Sequence, residues 1–108
     1  MMTITARFRV LPEWADRWPA LVDEFTRATR AEEDNLYFWW SRDVDDPCVF
    51  FLMEGYREKG VETHLSSPLI PKIKEQWPLA LVETPRMMIA TVSGEGWGPM
   101  DVLPVAPK

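Results

Sequence analysis

The stretch that decides the fold is NLYFWWSRDVDDPCVFFLMEGY, residues 35–56. It contains two apolar runs, 35–42 and 48–56, on either side of the polar segment 43–47, whose Asp and Pro residues favour a turn. Strands joined by a short polar turn form a hairpin, so we predict an antiparallel pair here. Both faces of the second run are largely apolar, which is typical of a central strand that is covered on two sides.

The N-terminal part of the chain predicts one further strand and one helix. Apolar and polar side chains alternate over residues 2–11, as in a half-buried strand. Residues 13–33 carry apolar side chains at helical spacing and charged residues between them, which predicts an amphipathic helix. Pro19 lies inside this helix and should kink or interrupt it, because proline removes a backbone hydrogen bond.

The C-terminal part supplies the remaining elements. We predict a short helix over 58–65 and a second helix that starts at Ser67-Pro68 and ends at Trp77. Residues 81–92 predict a fourth strand, with a bulge or an edge position at Pro85. The order βαββαβ is that of a ferredoxin-like α+β fold with a four-stranded antiparallel sheet.

The last residues have a different composition. The segment 94–108 is rich in Gly and Pro, so we predict a domain over residues 1–93 followed by a C-terminal tail. Trp97 and Leu103 are apolar residues in this tail, and we expect them to dock on a partner subunit.

Composition and charge exclude several classes of function. A chain of 108 residues fits one domain, and its net charge of −5 argues against binding to DNA or RNA. The single cysteine, Cys48, cannot form an internal disulfide, which fits a reducing compartment. Because the sequence also lacks an apolar leader and any apolar stretch of about 20 residues, we expect a cytoplasmic protein that does not bind membranes.

The aromatic residues predict a homodimer. Six tryptophans are unusual in 108 residues. The helices can cover only one face of the predicted sheet, yet residues on both faces of 35–42 and 48–56 are apolar. A second copy of the chain is the simplest cover, since a symmetric interface buries the same patch twice.

The segment 35–73 resembles the antibiotic biosynthesis monooxygenase domain family, which includes quinol monooxygenases, and the resemblance extends over residues 3–92. The features that carry the resemblance are Arg42-Asp43 in the turn, Glu54 and Tyr56 at the end of the strand, and His64 ahead of Ser67-Pro68. The resemblance implies a dimeric α+β barrel with a cavity between sheet and helices. It also implies oxidation of aromatic polyketides or quinols by O2 without flavin, haem or metal, so no cofactor is expected.

Some relatives degrade haem instead, with an asparagine, a tryptophan and an iron-binding histidine. The matching positions here are Ala6, Tyr56 and the stretch 70–74, and none carries the required residue. The resemblance therefore disfavours haem degradation.

Three residues are candidates for catalysis in the cavity that the resemblance implies. His64 is the only histidine, and an ordinary imidazole pKa suits a general base near neutral pH. Glu54 and Tyr56 lie two apart on one strand and so share a face. Glu54 is a candidate base or substrate anchor, and Tyr56 a hydrogen-bond donor or a wall of the cavity. The alternatives are structural: a solvent-facing or backbone-bound His64, and a Glu54 that pairs with an arginine or a helix N-terminus.

Four apolar side chains are candidates for substrate binding: Phe38, Trp40, Phe50 and Leu52. Plain packing in the core or the dimer interface is the alternative for each. No metal site is predicted, because one histidine and acids without ligand spacing cannot build one.

The sequence leaves three functions open. The first is a cofactor-independent monooxygenase that acts on a hydroxylated aromatic compound or a quinol. The second is a non-catalytic dimeric module that binds a small molecule, and the third is an isomerase or lyase that uses the same cavity. A fold alone does not decide between them.

Overall fold

The computed structural model describes all 108 residues. Four strands form one antiparallel sheet in the order β2-β3-β1-β4. Their bounds are Met2–Arg9 (β1), Asn35–Arg42 (β2), Val49–Tyr56 (β3) and Arg86–Thr91 (β4). The predicted hairpin is the pair β2 and β3, and β3 is a central strand.

The helices follow β1 and β3 in the chain. Their bounds are Trp18–Leu21 (α1), Asp23–Arg30 (α2), Val61–Leu65 (α3) and Ile70–Gln76 (α4), with 3₁₀ turns over Pro12–Arg17, Glu58–Gly60 and Trp77–Ala80. Their apolar side chains pack on one face of the sheet. The predicted ferredoxin-like α+β fold is thus confirmed. None of these helices has the length and the apolar character needed to cross a membrane.

The predicted helix over 13–33 is in fact three pieces. A 3₁₀ turn comes first, then α1, and Val22 separates α1 from α2. Pro19 lies in the first turn of α1, where its missing N–H is tolerated. The predicted interruption at the proline is thus the boundary between the 3₁₀ turn and α1, whereas the break at Val22 lies beyond it.

Two predicted boundaries are wrong. The second helix begins at Ile70 and not at Ser67-Pro68, because the Ser67 hydroxyl accepts a hydrogen bond from the N–H of Leu69 at 3.3 Å and closes a separate turn. The last strand begins at Arg86, directly after Pro85, which has no N–H to offer the sheet. Leu81 makes only an isolated bridge to Val10.

The core face of the sheet, which the helices cover, is dominated by aromatic rings. Phe8 of β1 and Trp18 of α1 lie at its centre, with ring centroids 5.5 Å apart. Trp77 lies 5.5 Å from Trp18, and Trp40 lies 5.0 Å from Phe8. Trp18 is fully buried, so this cluster supplies much of the apolar burial in a small domain.

The outer face of the sheet, which no helix covers, is apolar over much of its area, with Arg7 and Arg86 at one end. It carries Tyr37, Trp39, Phe51, Met53 and Met88, and Trp39 and Met88 are 42% and 72% exposed. A bulge at the start of β2 sets Tyr37 opposite Gly55. A Cβ atom at Gly55 would overlap the Tyr37 ring, so glycine is what lets this ring lie flat on the sheet.

The tail of the chain lies against the outer face of its own sheet. Residues 93–108 contain no helix or strand. The Trp97 ring stacks on Trp39 with centroids 5.6 Å apart, and Glu95 Oε2 lies 2.6 Å from Arg57 Nε. Docking of the tail on a partner subunit stays a prediction.

Candidate functional site

A cavity of about 220 Å³ lies between the core face and the helices. Nine of its twelve lining residues are hydrophobic, and its only ionisable ones are Glu54 and His64. The other lining residues are Ile4, Ala6, Phe8, Phe25, Leu52, Ile70, Ile73, Trp77, Pro85 and Met87. Met87, on the edge strand β4, is 55% exposed and so marks the rim of the cavity. Apolar walls with a few convergent polar groups are what a small-molecule site requires.

Helix α3 brings His64 to this cavity. The residue is 8% exposed, and its ring lies 4.8 Å from the Tyr56 ring and 5.4 Å from the Phe25 ring. On one side, Nε2 lies 3.4 Å from Glu54 Oε1. On the other, Nδ1 lies 3.3 Å from Glu32 Oε1 and 3.4 Å from Glu32 Oε2. The imidazole is therefore held between two carboxylates.

Strand β3 supplies the other two predicted catalytic residues. The Tyr56 hydroxyl donates a hydrogen bond to Glu54 Oε1 at 2.6 Å, and both residues are buried. Their spacing of two along a strand places them on one face. Tyr56 is 1% exposed and does not line the cavity, so it supports Glu54 from behind. A buried carboxylate needs such partners, because burying an unpaired charge is costly.

The same contacts set the protonation of the site. Burial by itself would lower the pKa of His64, but the hydrogen bond and charge of Glu54, with those of Glu32, outweigh it and raise the pKa above its usual value. Burial, followed by the charge of Glu54, raises the pKa of Tyr56 far above its ordinary value. The Tyr56 phenol thus stays protonated and acts as a donor, while the two carboxylates make the His64 imidazole a stronger base than usual.

His64 should make the stability of the fold depend on pH. Because the pKa of His64 is raised in the folded state, its contribution is complete below the unfolded value of about 6.5. The contribution is lost as pH rises through the higher folded pKa, so the free energy of unfolding should decline over that interval.

Urea denaturation between pH 5.5 and about 9 would measure this decline, with His64→Gln as the control. The variant cannot titrate at this position, so its curve should be flatter than that of the wild type over the same interval. Parallel curves for the two proteins would contradict the assignment.

The predicted substrate-binding residues lie in different surroundings. Leu52 lines the cavity, next to Glu54 along β3. Phe38 and Phe50 are buried in the core and do not line it. Trp40 packs in the aromatic cluster, and its Nε1–H donates to Thr26 Oγ1 at 2.9 Å. A role in substrate binding stays a prediction for all four residues.

Some residues of the site were not predicted from the sequence. Glu32 belongs to the run AEED, residues 31–34, which looks like a solvated turn, and nothing in the sequence marks one acid as different. Ile4 and Ala6 could have been predicted, because they lie on the same face of β1 as Phe8, the predicted core face. No group of three or more His, Cys, Asp or Glu side chains is arranged to hold a metal ion.

A family model matches most of the sequence. Residues 1–76, more than half of the chain, match the family described as antibiotic biosynthesis monooxygenase. The chain therefore belongs to the antibiotic biosynthesis monooxygenase family. Among proteins of curated function, none matches the sequence.

Solved structures share the fold at low sequence identity. A candidate antibiotic biosynthesis monooxygenase from Deinococcus radiodurans has a TM-score of 0.79 at 22% identity, over 93% of this chain and 99% of that chain. The Mycobacterium tuberculosis protein Rv0793 has a TM-score of 0.77 at 23% identity, over 89% of this chain and 98% of that one. At these identities the comparison supports the fold alone.

Proposed function

We propose that this protein is a cofactor-independent monooxygenase that oxidises a hydroxylated aromatic compound or a quinol with O2. The observation that carries the proposal is the Glu54–His64 pair, which faces a cavity whose other lining residues carry no ionisable group. Membership of the antibiotic biosynthesis monooxygenase family agrees with it.

The first step would be removal of a proton from the substrate hydroxyl by the Glu54–His64 pair, which acts as general base. The resulting anion is electron-rich enough to pass one electron to O2, which gives a substrate radical and superoxide. These combine through a new C–O bond to form a peroxide. The stored proton returns to the peroxide, and the carbon that bears it then loses its C–H proton as the O–O bond breaks. One oxygen stays on that carbon as a carbonyl, and the other leaves as hydroxide, which takes the released proton and becomes water.

The cavity supports this sequence of steps in two ways. Its apolar walls exclude water, which would otherwise protonate the anion and compete for superoxide. Tyr56 holds Glu54 through its hydrogen bond of 2.6 Å and so fixes the direction of the carboxylate.

The size and charge of the cavity narrow the substrate class. A volume of about 220 Å³ lies below the usual range of about 300–1,000 Å³ for ligand sites. We therefore favour a substrate with one or two aromatic rings. Because Glu54 contributes a negative charge, a neutral phenol or quinol suits the site better than an anion.

Oxygen consumption by the purified, metal-stripped protein tests the proposal. Benzohydroquinone, naphthohydroquinone and anthrone form a series of increasing size, and we expect uptake above the autoxidation blank that is fastest for the smaller members. With isotopically labelled O2, one labelled atom should enter the product. Uptake that yields only hydrogen peroxide would contradict a monooxygenase. Saturable quenching of tryptophan fluorescence without uptake would favour the non-catalytic binding module instead.

We also propose that the protein is a homodimer whose two outer faces pack together. The support is the exposed apolar surface of that face, where Met88 is 72% exposed. Such a patch is costly in water and is covered twice by a symmetric interface. The tail, 94–108, starts beside this face and is proposed to extend the contact onto the partner.

Light scattering should therefore give twice the chain mass of 12.6 kDa. The variant Met88→Glu, which places a charge in the proposed interface, should shift the protein to monomer. Leu79→Glu is the matched control, because Leu79 is 70% exposed but lies in the 3₁₀ turn after α4. A wild-type monomer at micromolar concentration, or an equal effect of both variants, would contradict the interface.

A further inference from the structure

A second, larger opening lies on the solvent side of His64. This groove has a volume of about 590 Å³, and its nine lining residues include only two hydrophobic ones. Glu32 lines the groove, whereas His64 and Glu54 line the apolar cavity. The imidazole thus has one nitrogen beside Glu54 in the cavity and the other beside Glu32, whose carboxylate lies between the ring and the groove.

The backbone holds Glu32 in place. It lies in the tight turn between α2 and β2, where its N–H donates to the carbonyl of Thr29 at 3.0 Å and its carbonyl accepts from the N–H of Asn35 at 3.2 Å. This position is just beyond the C-terminal end of α2, where the helix dipole disfavours a negative charge. A carboxylate at that place is thus better explained by its contact with His64 than by the stability of the helix.

We infer that Glu32 is a positioning residue for the proposed oxygenase: it orients the His64 imidazole from the groove side and connects it to solvent water. Both oxygens of Glu32 lie within 3.4 Å of Nδ1, so the carboxylate fixes the ring plane and favours a proton on that nitrogen. Nε2 is then the nitrogen that exchanges a proton with Glu54 at 3.4 Å. When that proton is not returned to the peroxide, it leaves through Nδ1 and Glu32 to the groove.

Among the charged groups around His64, Glu32 is the one that contacts the imidazole from the groove side. Strand β3 presents Glu54 on the cavity side and Tyr56 behind it. The rings of Phe25 and Phe38 close the remaining sides, at 5.4 and 6.3 Å. Lys59 lines the groove, but its ammonium group lies 3.7 Å from Asp34 and makes no ion pair with Glu32.

The single histidine of the chain makes the first test direct. The imidazole ¹³C–¹H signal of the full-length protein reports the protonation of His64 without any substrate. Glu32→Gln should lower the titration midpoint of this signal by about one pH unit or more, because an opposite charge within about 4 Å has been removed. Glu62→Gln, which neutralises another carboxylate of the same groove, should leave the midpoint unchanged. An unchanged midpoint in Glu32→Gln, or an equal change in both variants, would overturn the inference.

The second test separates positioning from folding. Only this test depends on the proposed activity. The pH profile of kcat for Glu32→Gln should shift by as many pH units as the titration midpoint of the imidazole signal, with KM unchanged. In Glu32→Ala, added formate should restore turnover, because the groove has room for it where the carboxylate was removed. Lack of rescue in a variant that is folded by circular dichroism would overturn the role of Glu32. If the wild type consumes no oxygen, the proposed function fails, while the titration still decides whether Glu32 controls His64.

Discussion

His64→Ala is expected to lower kcat for oxygen consumption by a factor of about 10²–10⁴, the usual contribution of a positioned general base. The imidazole is the only group that can carry a proton between Glu54 and Glu32, which it contacts at 3.4 and 3.3 Å. Without it, the substrate anion would form only by slow exchange with Glu54 alone. KM should change little, because the apolar walls that bind the substrate stay in place.

Glu54→Gln provides the companion variant. It keeps the shape of the side chain but removes the charge, so it should lower kcat in the same range. The double variant should be little worse than either single variant, because residues that act as one unit are not additive. Circular dichroism and the dimer mass must match the wild type for the comparison to hold. Full activity in His64→Ala would rule out the base role.

Trp18→Ala should have the largest effect on stability of any single change in the core. Trp18 is fully buried, and the rings of Phe8, Trp40, Phe50 and Trp77 all lie within 6.3 Å of it. Removing such an indole leaves a cavity that a small sheet cannot close. We expect a loss of about 3–5 kcal/mol in the free energy of unfolding, a large part of the total stability of a typical domain, about 5–15 kcal/mol.

Two further variants make this prediction specific. Trp97→Ala removes an indole that is 72% exposed, so its cost should be about 1 kcal/mol or less. Trp18→Phe should cost far less than Trp18→Ala, because it keeps an aromatic ring and leaves a smaller cavity. Both variants remove the buried Nε1–H, which has no hydrogen-bond partner. Urea denaturation gives all three values. A loss below about 1 kcal/mol for Trp18→Ala would contradict the central place of this ring.

The fold was largely predictable, because side chains alternate in 2–11 as in a half-buried strand, and the two apolar runs in 35–56 are joined by a polar turn as in a hairpin. The two wrong boundaries lie where local backbone effects, a short-range hydrogen bond and a proline, override the pattern of apolar side chains. A serine hydroxyl closed a turn ahead of α4, and Pro85 delayed the last strand. Neither effect changes the order of the strands, so the topology was unaffected.

The site was predictable only in part. Glu54, Tyr56 and His64 could be selected from the family resemblance, because His64 is the only histidine, Glu54 is a carboxylate on an apolar strand and Tyr56 shares its face; the structure does bring them together. Glu32 could not, since its role depends on a contact between residues 32 apart in the chain. The aromatic residues Phe38 and Phe50 share the core face with Glu54. The alternation of side chains along a strand, however, does not tell which rings on that face border the cavity.

The stacking of Trp97 on Trp39 gives the molecule a built-in optical signal. Two indoles held 5.6 Å apart at an angle of 25° couple their electronic transitions, so the near-ultraviolet circular dichroism of the pair depends on their mutual geometry. The indoles of the aromatic cluster are fixed by packing and contribute a constant background. Any partner that moves the tail from the outer face would therefore change the spectrum of the unlabelled protein, which makes occupation of that face visible as it happens.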